Sequence, residues 1–389
     1  MTPSLEQAVQ ARLQQWDEDG LWRSPSVFAS GQTPNAIVQQ AGDYCVREAV
    51  LFSSSNYLSL AEHPDIAHAA KEAIDEYGVG SGGSRLTTGS GKLHIEAEAA
   101  VASFTGYPDA VLFASGYQAN ISTLQALASP ELTIVSDARN HASIIDGCRL
   151  AKANGATVVV TPHRDVEAVD KALSTRTTEY ALVVTDGLFS MDGVLAPLSD
   201  LYKVTDNHGA WLMVDDAHAF GTIGATGRGL PEHFGIRPDI QLITASKALG
   251  AEGALVATSG PVAQLLRQQA RSFVFSTSPT PANCAAIIAG VNLLETNPNL
   301  VGGLQDNFSY WHQRRGTLKP EGPIIPIHVG DESVAMEASA ALLERGFIVP
   351  AIRWPTVPHG AAILRVTLMA THTKTQIDAL CNELESLHL

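Results

Sequence analysis

Apolar positions recur along this chain in two rhythms. At the amino end Leu5, Val9, Leu13 and Trp16 fall on one helical stripe, which predicts an amphipathic helix. A stretch rich in Ser, Pro and Gly follows to about residue 42 and reads as a loop. Between about 50 and 280 short apolar runs alternate with helical stretches. The runs DAVLFAS (109–115), LTIVSD (132–137), ATVVVTP (156–162), ALVVTDG (181–187), AWLMVDD (210–216) and DIQLITAS (239–246) are β-branched and apolar almost throughout. Such runs suit a parallel sheet covered on both faces, so the predicted class is α/β, with ligands at the carboxyl ends of the strands. From about 282 the pattern becomes a helix (283–295), GPIIPIHVG, a helix (333–345), FIVPAIRW, AILRVTL and a last helix (374–388), which suggests a smaller α+β unit. The expected division is an N-terminal helix and arm over 1–45, a large α/β domain over 46–281 and a C-terminal α+β domain over 282–389.

Length agrees with that division, because 389 residues exceed the ~250–300 at which single cores stop growing. Composition, 45% hydrophobic and 17% charged, is that of a soluble globular protein. No signal peptide and no apolar run near the ~20 residues of a membrane span is read from the sequence. A formal net charge of −15 disfavours nucleic acid as a partner and requires any anionic substrate to be held by a few placed cations. Cys45, Cys148, Cys284 and Cys381 lie far apart with no C-x-x-C pair, which argues against a metal site and fits a reducing cytoplasm.

The glycine-rich segment GVGSGGSRLTTGSGK (78–92) imitates two nucleotide motifs. A dinucleotide fingerprint leaves a strand and opens a helix, but Ile66, Ala69, Ala70, Ala73 and Ile74 form a helical stripe just before this one. A P-loop fails as well: Leu86 stands where its first glycine belongs, and Leu93 follows Lys92. Taken alone, the segment reads as a connector.

VDDAH (214–218) and TASKALG (244–250) carry more chemistry. Asp215 and Thr244 end apolar strands, and His218 and Lys247 follow three residues later. Each has an ordinary alternative as a cap, a turn residue or a solvated lysine. Together they supply the pair that pyridoxal phosphate requires: a lysine for its aldehyde and a carboxylate for its pyridine nitrogen. A lysine in a partly desolvated pocket has a lowered pKa and becomes competent as nucleophile and base. FASGYQAN (113–120) runs from a strand into a helix start, a place that holds phosphate, and NHASIIDG (140–147) offers His141 as a ring able to stack on a flat cofactor.

These motifs, with NYLSL (56–60), GSGGSRLTTG (80–89), TDGLFSMDG (185–193), VDDAHAFGTIG (214–224), GRGL (227–230), FSTSPTP (275–281) and AIRWPTVPHGAAILRVTL (351–368), resemble the α-oxoamine synthases over some 300 residues. That family is the acyl-CoA:amino-acid condensing branch of the fold type I pyridoxal-phosphate enzymes. The resemblance implies an aspartate aminotransferase-like fold with a mostly parallel seven-stranded sheet, and a cytoplasmic homodimer with shared active sites. It implies Lys247 as the cofactor lysine and Asp215 on the pyridine nitrogen, with His218 and Ser190 on the phenolic oxygen and His141 over the ring. Ser115, Gly116 and Tyr117 with the Thr244 hydroxyl would hold the phosphate, and Thr277 would add a contact from the other subunit. Arg365 would pair with the amino-acid carboxylate, Asn56 would lie near substrate, and Ser84 would sit near the acyl group of the partner's site while Arg85 is structural.

The implied reaction joins an amino acid to an acyl thioester with loss of CO2, with His141 or His218 polarising the thioester. L-alanine with a pimeloyl thioester is the first substrate pair, and glycine with acetyl-CoA the alternative. The free carboxylate of pimeloyl asks for a cation, for which Arg23 and Arg353 are the candidates. Three positions depart from the family pattern: Ala245, Ala219 and Glu252, the last in a loop normally built of small residues.

Overall fold

The computed structural model describes residues 3–39, 46–317 and 319–389. Cys45 and the end of the expected arm lie outside them. Seven strands form the central sheet, in the edge-to-edge order Asp109–Phe113, Ala254–Thr258, Ile240–Thr244, Trp211–Asp215, Tyr180–Asp186, Leu132–Asp137 and Thr157–Thr161. All six runs read from the sequence are strands. The seventh, Ala254–Thr258, is antiparallel to both neighbours and enters after the turn that carries Lys247. Helices cover both faces, so the strand interiors are buried except in the edge strand Thr157–Thr161, where Val160 is exposed.

The carboxyl ends of the parallel strands converge on one edge. Asp186 and Asp215 are direct partners in register there, and Thr244 ends the next strand. Helices starting at Gly116 and Ala142 open toward the same edge, capped by Ser115 and His141.

Two smaller sheets surround this body. One joins Ile324–Gly330, Ala362–Thr367 and Ala351–Ile352. The other pairs Val27–Phe28, Asn35–Gln39 and Val46–Leu51 with Phe347–Ile348 from the far end of the chain. The stretch expected to be loop up to residue 42 thus contains two strands; its polar, turn-rich composition hid the short alternation of Asn35–Gln39, whose Ala36 and Val38 are buried. A 17-residue helix, Asn299–Arg315, also went unread in the C-terminal part, and its Leu304, Phe308 and Trp311 enter the core beside the helix Pro281–Thr296.

The helix Leu5–Glu18 forms as the stripe predicts, with a Ser4–Gln7 capping box, but buries none of its residues in this chain. The helix Pro64–Tyr77 precedes the glycine-rich segment, which confirms that the segment leaves a helix. Arg85 is structural: its guanidinium meets Glu98 at 2.8 Å with both side chains almost wholly buried, and lies over the Phe273 ring. Glu98 also accepts from Leu112 N–H and faces Arg267, so the buried charges are shared between two cations and a backbone donor.

A buried histidine ties the segment after Leu51 to the C-terminal part. His372 Nδ1 accepts from Met369 N–H at 2.8 Å, its Nε2 bonds the Leu51 carbonyl at 2.9 Å, and its ring stacks on Phe52. Burial lowers its pKa from 6.5 to about 4, against the Leu51 hydrogen bond. Because the folded-state value lies below the unfolded one, this contribution to stability is complete above pH 6.5 and declines as pH falls toward 4. The loss should approach roughly 3 kcal/mol. Urea unfolding followed from pH 7 to pH 4 should show that slope in the parent chain and a flatter one in His372→Gln.

Candidate active site

A cavity of about 220 Å³ opens at the carboxyl edge of the sheet. It is lined by Ser115, Gly116, Tyr117, His141, Ser190, Asp215, His218, Thr244 and Lys247, all named from the sequence, and also by Asn120, Ser143, Asp186, Ala217 and Ser246. A larger cavity of about 460 Å³, around Tyr107, Trp211, Arg237 and Val262, sits at the opposite edge, and none of these site residues lines it.

Two carboxyl groups face one lysine. Asp215 Oδ2 accepts from Asn120 Nδ2 at 2.6 Å and Oδ1 from Ala217 N–H at 3.0 Å, which fixes the plane of the carboxylate. Asp186 is buried, accepts from His141 N–H at 3.0 Å, and gives its own N–H to Asn140 Oδ1. Burial pushes the Asp186 carboxyl well above the usual carboxylate range, and the Asp215 charge adds to that. Lys247 Nζ lies 3.4 Å from Thr244 Oγ1. Desolvation lowers its pKa, while Asp215 and Asp186 pull it back up and Arg365 lowers it further. A lysine balanced in this way can lose its proton at much lower cost than one in water.

The two histidines differ in their surroundings. His141 stands exposed at the cavity mouth, its Nδ1 2.7 Å from Ser143 Oγ, with a pKa lowered by desolvation. His218 lies deeper, and desolvation followed by the charges of Lys247 and Arg365 takes it well below the ordinary histidine value. Its Nδ1 is 2.6 Å from the hydroxyl of Tyr57, a fully buried residue that sequence reasoning passed over in favour of its neighbour Asn56.

The remaining candidates lie outside the cavity lining. Arg365 is buried behind it, giving Nε–H to the Ser190 carbonyl at 2.7 Å and Nη1–H to Thr367 Oγ1. Asn56 bonds Glu62 and accepts from Ala61 N–H. Ser84 and Thr277 are bridged to each other, which joins the glycine-rich segment to the FSTSPTP turn. Arg23 is exposed, and Arg353 gives Nη2–H to the Trp22 carbonyl at 3.1 Å, so the two candidate cations come from adjoining segments. Glu252 is exposed, while its backbone N–H and C=O are both held by Asn283, so its charge does not disturb the packing of that turn.

The donor set fits pyridoxal phosphate. The N–H groups of Gly116 and Tyr117 open a 12-residue helix before its first intrahelical bond, where a phosphate is favoured. Gly116 is required by close approach: a Cβ there would stand 2.6 Å from Thr244 Cγ2. Asn120 Oδ1 is buried without a partner at the cavity wall, which is expected of a polar atom awaiting a ligand.

The family model for class I and II aminotransferases matches residues 47–384. The chain belongs to that family. It is 42% identical to the 8-amino-7-oxononanoate synthase of Geobacter sulfurreducens over 96% of each chain. It is 44% identical to the biotin biosynthesis bifunctional protein BioWF of Corynebacterium kroppenstedtii, covering 100% of this chain and 58% of that protein. The chain thus spans under two thirds of the length of such bifunctional relatives. Among solved structures, serine palmitoyltransferase from S. paucimobilis with a bound PLP–myriocin aldimine superposes with a TM-score of 0.89 at 30% identity, over 98% of this chain and 96% of that one. The 8-amino-7-oxononanoate synthase of Francisella tularensis superposes at 0.73 with 28% identity, over 88% and 99%. The fold is that of the fold type I PLP-dependent transferases, and the α-oxoamine synthase resemblance of the motifs holds.

The sequence signals for the passed-over residues were adjacent to the chosen ones: Tyr57 in NYLSL, Asn120 in SGYQAN and Asp186 in TDGLF. In Gly116→Val the branched side chain would meet Thr244 inside the cradle. Pyridoxal phosphate retention, measured by fluorescence titration, should weaken at least about tenfold, the order of one lost charge-assisted contact.

Proposed function

We propose that this chain is a pyridoxal-phosphate-dependent acyltransferase that condenses L-alanine with a pimeloyl thioester, releasing CO2 and the free thiol, as the step of biotin biosynthesis that gives 8-amino-7-oxononanoate. The observation that carries the reading is the meeting of Lys247, Asp215 and a helix-start phosphate cradle in one cavity, on a chain matching a named 8-amino-7-oxononanoate synthase end to end.

Bound pyridoxal phosphate supplies an aldehyde for the amino group and a ring that accepts the electron pair released at Cα. The chain's residues do the rest. Ser115, Gly116, Tyr117 and Thr244 would hold the phosphate, and the Asp215 carboxylate, fixed by Asn120, would serve the pyridine nitrogen. Lys247 Nζ takes the Cα proton, helped by the desolvation that disfavours its charged form. His141 would cover the ring, Ser190 and His218 would bond the phenolic oxygen, and either histidine would polarise the thioester carbonyl. Arg365, buried behind the lining, would pair with the amino-acid carboxylate, and Asn56 would lie near the substrate.

The active unit in this reading is a cytoplasmic homodimer. The unburied stripe of Leu5–Glu18 and the exposed Leu86 and Phe275 supply apolar surface for a second copy. Ser84 and Thr277, paired on that face, would serve the partner's acyl group and phosphate. Arg23 and Arg353 are the cations for the distal pimeloyl carboxylate. Among the described residues no helix is long and apolar enough to cross a membrane.

Borohydride reduction of the loaded protein should fix pyridoxyl on Lys247 alone, and a labelled peptide from any other lysine overturns the assignment. A panel of amino acids and thioesters, read as thiol release, should turn over L-alanine with pimeloyl-CoA or pimeloyl carrier protein. Turnover of glycine with acetyl-CoA instead would move the function to glycine C-acetyltransferase. L-serine with palmitoyl-CoA belongs in the panel because the serine palmitoyltransferase structures superpose well.

A further inference from the structure

The hydroxyl of Tyr57 and Nδ1 of His218 meet 2.6 Å apart. Tyr57 is wholly buried, and the segment holding it is stitched on both sides: Thr367 N–H gives to the Phe52 carbonyl and Ala370 N–H to that of Tyr57, each at 2.7 Å. His218 is held by its own turn, where Thr222 Oγ1 bonds its carbonyl at 2.7 Å. Tyr57 Oη occupies Nδ1, which leaves Nε2 as the ring nitrogen that His218 can offer to the cavity it lines.

Donor counting decides which nitrogen carries the proton. The other charged group acting on the phenol is Arg365, and a guanidinium donates without accepting. It can therefore compete only for the lone pairs of the phenol oxygen, and 2.6 Å is shorter than an imidazole N–H···O contact normally reaches, so the single O–H points at Nδ1. An imidazole accepting at Nδ1 and lacking a net charge has its proton on Nε2. Beside the cations Lys247 and Arg365, a second proton on His218 would be costly, which keeps the ring neutral.

We propose that Tyr57 is a positioning residue that locks His218 in the neutral Nε2–H tautomer, so that His218 presents a hydrogen-bond donor, and not an acceptor, to whatever occupies the cavity. This rests on the functional reading above only for what is donated to, namely the phenolic oxygen of the cofactor or the thioester carbonyl. A donor there stabilises negative charge on oxygen, whereas the alternative tautomer would place a lone pair against it. Phenylalanine at position 57 would fill the same volume and leave the imidazole free to take either tautomer.

The test is the ring-nitrogen NMR spectrum of the full-length protein loaded with pyridoxal phosphate and labelled with ¹⁵N-histidine. His218 signals are assigned by their loss in His218→Gln. The expected result is a protonated Nε2 and an unprotonated, hydrogen-bonded Nδ1 across pH 6–8. In Tyr57→Phe the Nδ1 signal should move to its free-lone-pair position or average between tautomers, while thermal unfolding stays that of a folded protein. A protonated Nδ1 in the parent overturns the inference, and so does a Tyr57→Phe spectrum that leaves both His218 signals in place. The parent spectrum decides even if Tyr57→Phe does not fold. Because the readout needs no turnover, failure of the substrate panel with the expected tautomer would count against the reaction alone.

Discussion

Everything at this site depends on keeping charge in balance where water is scarce. Two carboxyl groups end neighbouring strands in register, and one lysine reaches them from the turn after the next strand. Two ionised carboxylates so close would repel strongly, and burial answers by driving the Asp186 proton affinity up. Asp215 is held by Asn120 and Ala217. Desolvation outweighs the upward pull of Asp215 on the Lys247 and His141 pKa values, so both end lowered, while His218 is driven down by desolvation and by the charges of Lys247 and Arg365.

The geometry that maintains this balance comes largely from parts of the chain remote in sequence. The segment from Phe52 to Tyr57 is fixed by residues 367–372 through backbone hydrogen bonds and by His372 through Leu51. Arg365 belongs to the strand Ala362–Thr367 and yet clamps the Ser190 carbonyl in the large sheet's loop. The wall behind the cavity is therefore a joint between the chain's two halves. Its rigidity reflects a shared core that runs from Phe52 through Ile243 and Ile287 to Leu384.

Much of this was legible in the sequence because the signals were local. Continuous apolar runs located six strands of the main sheet, and their last residues located Asp215 and Thr244 on the functional edge. The helix before the glycine-rich segment excluded a nucleotide there. What escaped has physical reasons as well. Asn35–Gln39 is short and lies in turn-rich sequence, so its burial shows only when Val46–Leu51 and Phe347–Ile348 pair beside it. Tyr57 reads as an ordinary core aromatic, and its function lies in a contact 161 positions away that no periodicity encodes. Asn120 and Asp186 were hidden by adjacency to stronger-looking residues. Arg365 was found by motif, but its role behind the lining, holding a carbonyl, needed three dimensions.

The glycine-rich segment is held at four points. Arg85 anchors it to Glu98, Ser278 N–H gives to the Gly83 carbonyl, Ser81 Oγ gives to the Ser278 carbonyl, and Ser84 is bridged to Thr277. Glu98 in turn is tied to the edge strand at Leu112, so the loop inherits its position from the sheet. A loop fixed in this way has little conformational freedom left to surrender when a ligand arrives. In the proposed reading it would work as a jig rather than a lid, admitting an acyl chain by whether it already fits the loop's contour.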